Sequence, residues 1–132
     1  MTLNDIYKAF PNEASCIKLL EEVIWNNLPS CPYCKSNNYI ALKNTHRYHC
    51  NKCNTSYSVT VKTIFHKTKT PLQIWLYAIY LKEINELNIP VRKLGEEMQV
   101  TKDTANRIVN KVNNFFTQNR TLYTSIFKKL IK

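Results

Sequence analysis

Cys31-Pro-Tyr-Cys34 and Cys50-Asn-Lys-Cys53 decide how this chain folds. Two Cys-x2-Cys pairs with fifteen residues between them have the spacing of a zinc ribbon. Each pair sits at a tight turn and presents two thiolates on one side. A hairpin that joins the turns closes a tetrahedral S4 site with no open position. Catalytic zinc keeps a position for water or substrate, so a closed site is structural. The expected cofactor is one Zn2+ held by Cys31, Cys34, Cys50 and Cys53.

Two disulfides are the competing reading of these cysteines. The chain opens on Met1-Thr-Leu-Asn-Asp rather than on an apolar export segment, so a reducing compartment and free thiols are expected. The corresponding location is cytoplasmic and bacterial, at the nucleoid when DNA is bound. His46 and His49 lie close to the second pair and are the alternative ligands. His66 is isolated and reads as a surface or packing residue. Cys16, in an apolar helix-like stretch, reads as a buried free thiol. Ribbon turns often carry Gly after the second cysteine, where positive φ is required. Lys35 and Asn54 stand there instead, and backbone strain is expected at Lys35.

The 132 residues make one domain or two very small ones. A ribbon of about thirty residues has little core, and its metal supplies much of its folding free energy. The 44% hydrophobic content, with 2 Trp, 8 Tyr and 5 Phe, supports a helical core elsewhere. No apolar run reaches membrane-spanning length. The net charge of +10 is unevenly spread. No carboxylate occurs from Val23 to Lys82 or from Thr104 to the end, and both stretches are basic. All 9 carboxylates fall between Asp5 and Glu22 or between Glu83 and Asp103. Two acid-free basic blocks point to a polyanion, with nucleic acid ahead of an anionic membrane surface. No basic amphipathic helix offers a free apolar face for membrane insertion.

The expected fold class is α+β: a small antiparallel zinc ribbon flanked by an N-terminal helix and a C-terminal helical bundle. Three parts follow, a helical segment over 1–29, the ribbon over 30–69 and a helical region over 70–132. Asn12 to Asn26 reads as the first helix, with Asn12 as cap and Ile17, Leu20 and Ile24 at helical spacing. Trp25 is placed to anchor it on the ribbon. Strands are expected at Tyr39–Lys43, Arg47–Cys50 and Tyr57–Val61. Thr70 caps a second helix with Pro71 in its first position, ending around Asn88-Ile89-Pro90. Leu72, Trp75, Leu76, Ile79 and Tyr80 make it a central helix. The tail from Thr121 reads as a short final helix that packs at home or serves as an interaction surface.

Val91 to Val112 has the pattern of a helix-turn-helix. Leu94 and Met98 share one face, Val100 fills the turn, and Thr101 caps a second helix with Asp103 in its first turn. Ala105, Ile108, Val109 and Val112 repeat at helical spacing, and small Ala105 permits close approach. Gln99 stands where such turns usually carry Gly. Lys102, Thr104, Asn106, Arg107, Asn110 and Lys111 then face outward, with side chains suited to base edges and phosphates. The second helix is expected to continue through Phe115-Phe116. Lys43, Arg47, Lys52, Lys62 and Lys67 of the ribbon are expected to add affinity with little selectivity.

Ribbon, central helix and helix-turn-helix in this order resemble the N-terminal region of zinc-ribbon insertion-sequence transposases, which continue into an RNase-H-like DDE catalytic domain. The resemblance runs from about Phe10-Pro-Asn-Glu to about Val112. It rests on Trp25 before Cys31-Pro-Tyr-Cys34, on Tyr48-His-Cys50-Asn-Lys-Cys53, and on Ser58-Val-Thr leading to Thr63-Ile-Phe-His66-Lys-Thr-Lys-Thr-Pro71-Leu and Trp75. It implies four cysteine ligands and recognition of an element's terminal repeats. Such a transposase needs catalytic carboxylates after the helix-turn-helix, and here that stretch has no Asp or Glu. The chain is therefore expected not to be an enzyme but a remnant, an accessory protein or an excised domain.

The expected function is DNA binding, with double-stranded DNA as partner and a transposase or other protein as a second one. No membrane and no small-molecule substrate are expected. The alternative is a protein-interaction adaptor or transcriptional regulator that uses its ribbon to bind a partner. A third reading, a nuclease or transferase part acting with a partner chain, requires metal-dependent cleavage.

Overall fold

A computed structural model describes residues 2–61, 63–66, 69–84 and 90–131. Lys62 and Lys67 lie outside the described residues, as do Asn88 and Ile89, where the second helix was expected to end.

Two helices precede the ribbon, where one was expected. α1 spans Leu3–Ala9 and is closed by a capping box between Thr2 and Asp5, whose carboxylate accepts from the Thr2 amide at 2.7 Å. Leu3 and Ile6 turn inward. α2 spans Glu13–Trp25, with Asn12 Oδ1 accepting from the Ser15 amide at 2.9 Å and Asn26 ending it at φ 52°. The capping chemistry of α2 was legible, and its left-handed stop uses the residue that tolerates that conformation best after glycine.

The ribbon sheet holds β1 (Tyr39–Ala41), β2 (Tyr48–Cys50) and β3 (Ser56–Tyr57), antiparallel in the order β1-β2-β3. The third strand is shorter than the alternating stretch Tyr57–Val61 suggested. After Tyr57 the chain turns, with the Val61 amide bonded to Ser58 O at 3.2 Å and the Thr63 amide to Thr60 O at 3.1 Å. Val59 and Val61 are still buried, but in different cores: Val59 under the helices and Val61 inside the ribbon. Two buried valines two residues apart imitate a strand in sequence.

α3 spans Leu72–Glu83 and is buried almost all round. Its start corrects the expected cap. Pro71, at φ −53° and ψ 141°, occupies the N-cap position itself, and no side chain caps the helix. The extended ψ keeps Pro71 outside the helix while its carbonyl accepts from the Ile74 amide. α4 (Val91–Met98) starts the same way on Pro90, at φ −54° and ψ 141°. α5 (Lys102–Gln118) and α6 (Arg120–Leu130) complete the chain.

Around α3 gathers one core that includes Leu20, Trp75, Leu94, Ile108, Phe115 and Ile126. Gln73 Nε2 donates to Phe10 O at 2.9 Å, tying the α1–α2 corner to α3. Tyr123, fully buried, donates its hydroxyl to Ile79 O in a short hydrogen bond. The tail helix therefore packs at home, and Lys129 pairs with Glu22 of α2. A second, small core sits in the ribbon, and Trp25 packs against both. Its ring meets Tyr48 and Tyr57 edge-on at 5.6 and 5.7 Å, and Tyr48 donates to Glu21 Oε2 at 2.6 Å. Trp25 is thus the anchor its position suggested.

Candidate metal centre and nucleic-acid face

The two knuckles are built by the same hydrogen bonds. Cys31 O accepts from the Lys35 amide at 2.9 Å, and the Cys31 amide donates to Ser36 O at 3.0 Å. Cys50 O accepts from the Asn54 amide at 2.9 Å, and the Cys50 amide donates to Thr55 O at 2.8 Å. Closing each turn requires positive φ, and Lys35 adopts 66° while Asn54 adopts 58°. The strained lysine is real, and the turn it serves holds two ligands in place.

All four Sγ atoms lie within 4.8 Å of one another. Cys31 and Cys53 sulfurs are 3.6 Å apart, and those of Cys34 and Cys50 are 3.5 Å apart. Disulfide sulfurs lie about 2 Å apart, which excludes the bonded reading. Metal–sulfur bonds of about 2.3 Å in a tetrahedron place sulfurs roughly 3.8 Å apart, so the pocket fits zinc. His46 and His49 do not belong to this cluster. Backbone N–H groups aimed at sulfur, led by that of Cys53, draw the Cys50 thiol down, while burial and the neighbouring sulfurs hold the Cys53 thiol up, so the crowded thiols do not all ionise without a cation among them. Bound zinc would cross-link the two turns and leave no position for substrate.

The second candidate face lies on α5. α4 ends at Gln99 with φ 59°, and Thr101 Oγ1 accepts from the Thr104 amide to cap α5. Gln99 thus takes the left-handed conformation that usually calls for Gly. The tightness of the turn depends on Gly95, which sequence reasoning passed over. A Cβ at Gly95 would lie 2.9 Å from Val100 O. The available signal was that this is the only glycine in the chain. Ala105, Ile108 and Val112 are fully buried against α4 and α3. Lys102, Asn106, Arg107, Asn110 and Lys111 are exposed along the opposite side, and Thr104 is half-buried and engaged in the cap. On the ribbon, Lys43, Arg47 and Lys52 are exposed, and Arg47 reaches across the sheet to Ser56 Oγ at 3.2 Å.

Residues 11–56 match the family model of the transposase zinc-ribbon domain. The ribbon is similar to those of transposases. A relative named "Uncharacterized protein in transposable element ISH50", from Halobacterium salinarum (strain ATCC 700922 / JCM 11081 / NRC-1), is 28% identical over 107 residues. That alignment takes in 79% of this chain, and the chain spans 36% of the relative's length. No solved structure matches the chain significantly.

The ribbon thus has four clustered cysteines that fit zinc, and it is similar to the ribbons of transposases. Its match ends at residue 56, whereas the ISH50 similarity covers more than twice that length. Cys16, fully buried in α2, stands outside the metal site, and burial pushes its thiol up to about 12. No described helix is long and apolar enough to cross a membrane.

Proposed function

We propose that this chain is the DNA-recognition part of a transposon-encoded protein, with α5 reading the major groove and the ribbon adding contacts to the backbone. The observation that carries the reading is the outer side of α5. It projects Lys102, Asn106, Arg107, Asn110 and Lys111 into solvent from a helix seated firmly on α4. Arg107 suits bidentate contact with guanine and Asn106 with adenine, while Lys102 and Lys111 suit phosphates. Thr104, with its hydroxyl held by Thr101, contributes at most a secondary contact. Arg47 and Lys52 of the ribbon, with Lys62 and Lys67 from the sequence, supply affinity without selectivity.

The 132 residues carry recognition rather than strand cleavage. Three of the described carboxylates serve the fold: Asp5 caps α1, Glu21 accepts from Tyr48, and Glu22 pairs with Lys129. Selection of bound sequences from a random DNA pool at near-physiological salt tests the reading. Arg107→Ala should then abolish preference for the selected site, and Lys52→Ala should weaken all DNA alike. An unchanged preference in Arg107→Ala removes α5 as the reading element. Mg2+-dependent nicking that disappears on replacing one carboxylate overturns the non-catalytic part.

A second reading, a protein partner docked on the ribbon, is favoured by Ile40 and Leu42. They are 56% and 38% exposed along edge strand β1 and just beyond it. A steep salt dependence with no sequence preference would select it.

A further inference from the structure

Two clefts meet where the ribbon joins the helices, sharing Thr63, Asn119 and Leu122. The first, of about 610 Å3, lies between the segment leaving the ribbon and the second half of α5, and takes in His66, Lys111, Asn114 and Gln118. The second, of about 410 Å3, continues to the first zinc knuckle, reaching Ser30, Pro32, Lys35 and Ser58. Joined through these shared residues, they read as one groove, with Lys111 and His66 lining the first cleft and Lys35 the second. No carboxylate lines either cleft among the described residues. Apolar side chains, among them Ile64, Phe115 and Trp25, contribute to its walls between the polar groups.

This surface is an unusual one to leave to water. Among the described residues the side chains of His66, Lys111, Asn114 and Gln118 form no hydrogen bond, although they line the same concavity. Cationic and amide groups interleaved with apolar side chains, free of acids, suit a sugar-phosphate chain carrying bases. A few hundred Å3 on either side of Thr63 has no room for a duplex. One strand fits.

We propose that this groove binds a single strand of nucleic acid, leading it from the duplex read by α5 toward the zinc knuckle. The direction of that path rests on the DNA reading of α5; the groove's own affinity for a strand does not. Lys35 serves twice over, bearing the positive φ that closes the turn and presenting the cation of the second cleft.

Fluorescence anisotropy on the zinc-loaded protein tests this with three probes: a blunt duplex holding the selected site, the same duplex with a single-stranded extension at either end, and a single-stranded oligonucleotide. One extension should tighten binding about fivefold or more over the blunt duplex. The salt slope should steepen by roughly 0.7 for each added phosphate contact. Gln118→Glu, which sets a carboxylate in the groove, and Lys35→Asn, which removes its cation while keeping a residue that tolerates positive φ, should each erase that gain. Neither should alter blunt-duplex affinity beyond about twofold, and zinc content should be unchanged. No gain from either extension, or a gain that survives both substitutions, overturns the proposal. Arg107→Ala separates the two readings: it should remove site preference yet leave oligonucleotide binding intact. If no duplex preference exists at all, the α5 reading falls, and oligonucleotide binding weakened by Gln118→Glu still upholds the groove.

Discussion

Among the described residues the ribbon's buried core consists of Cys31, Cys50, Tyr57 and Val61, so half of it is metal ligand. The helical body instead surrounds Trp75, Leu76 and Ile79 with side chains from every other helix. Burial of this kind stabilises without a cofactor, at about 25 cal/mol per Å2 of apolar surface. The ribbon has nothing comparable, and its short strands cannot hold a sheet alone. The contrast teaches that one chain of this size can combine a packing-driven fold with a metal-driven one, joined through Trp25.

Zinc removal breaks the comparison most sharply. Structural zinc in small domains contributes about 10–16 kcal/mol of apparent binding free energy at neutral pH. Chelation, or Cys50→Ser, should therefore unfold the ribbon while α1 to α6 persist. Far-UV circular dichroism should keep most of its helical signal, and proteolysis should concentrate between Ser30 and Val61. Loss of the helical signal in step with zinc would mean that the body depends on the metal too.

The reverse experiment is Trp75→Ala. This ring is 2% exposed and meets Phe65 edge-on at 6.0 Å. Truncation should cost about 3–5 kcal/mol and lower the thermal midpoint of the helices, with zinc stoichiometry unchanged. Zinc loss at temperatures where the helices remain folded would show the ribbon leaning on this core. A third substitution, Gly95→Ala, acts on the turn alone. Its new methyl group would press on the Val100 carbonyl, and overpacking of this kind costs about 1–3 kcal/mol. DNA affinity should fall with it as α5 shifts on α4; unchanged stability would show that the backbone yields.

What the sequence disclosed follows the same division. Metal-ligand spacing is a local, chemically specific signal, and it located the four cysteines that cluster and both positive-φ positions at Lys35 and Asn54. Helical periodicity likewise located α2, α3 and the α4–α5 pair. α1 was missed because seven residues give too little periodicity, although Thr2 and Asp5 carried its capping box. The third strand was overextended because burial of Val59 and Val61 in separate cores mimics alternation along one sheet face. The groove along His66, Lys111 and Asn114 was out of reach, since it arises only where the ribbon's exit segment meets α5. Signals that depend on one element were readable; those made by two distant elements were not.

Cys16 provides the gentlest test, because it belongs to the packed region rather than to the metal. Its thiol, pushed up to about 12 by burial and secondarily by Glu13, stays protonated where an exposed thiol near 9 would ionise. In zinc-loaded protein at pH 8 no cysteine should react quickly with an alkylating reagent. After chelation Cys31, Cys34, Cys50 and Cys53 should react and Cys16 should lag until the helices unfold. The linkage has a definite sign. Above pH 9 the unfolded chain releases this proton and the folded chain retains it, so rising pH favours unfolding. Wild-type protein should therefore lose stability between pH 9 and 10 faster than Cys16→Ala, with the difference read from denaturant midpoints at each pH. Equal slopes, or rapid alkylation of Cys16 in the native state, would show that α2 opens readily and that the helical body is looser than its packing implies.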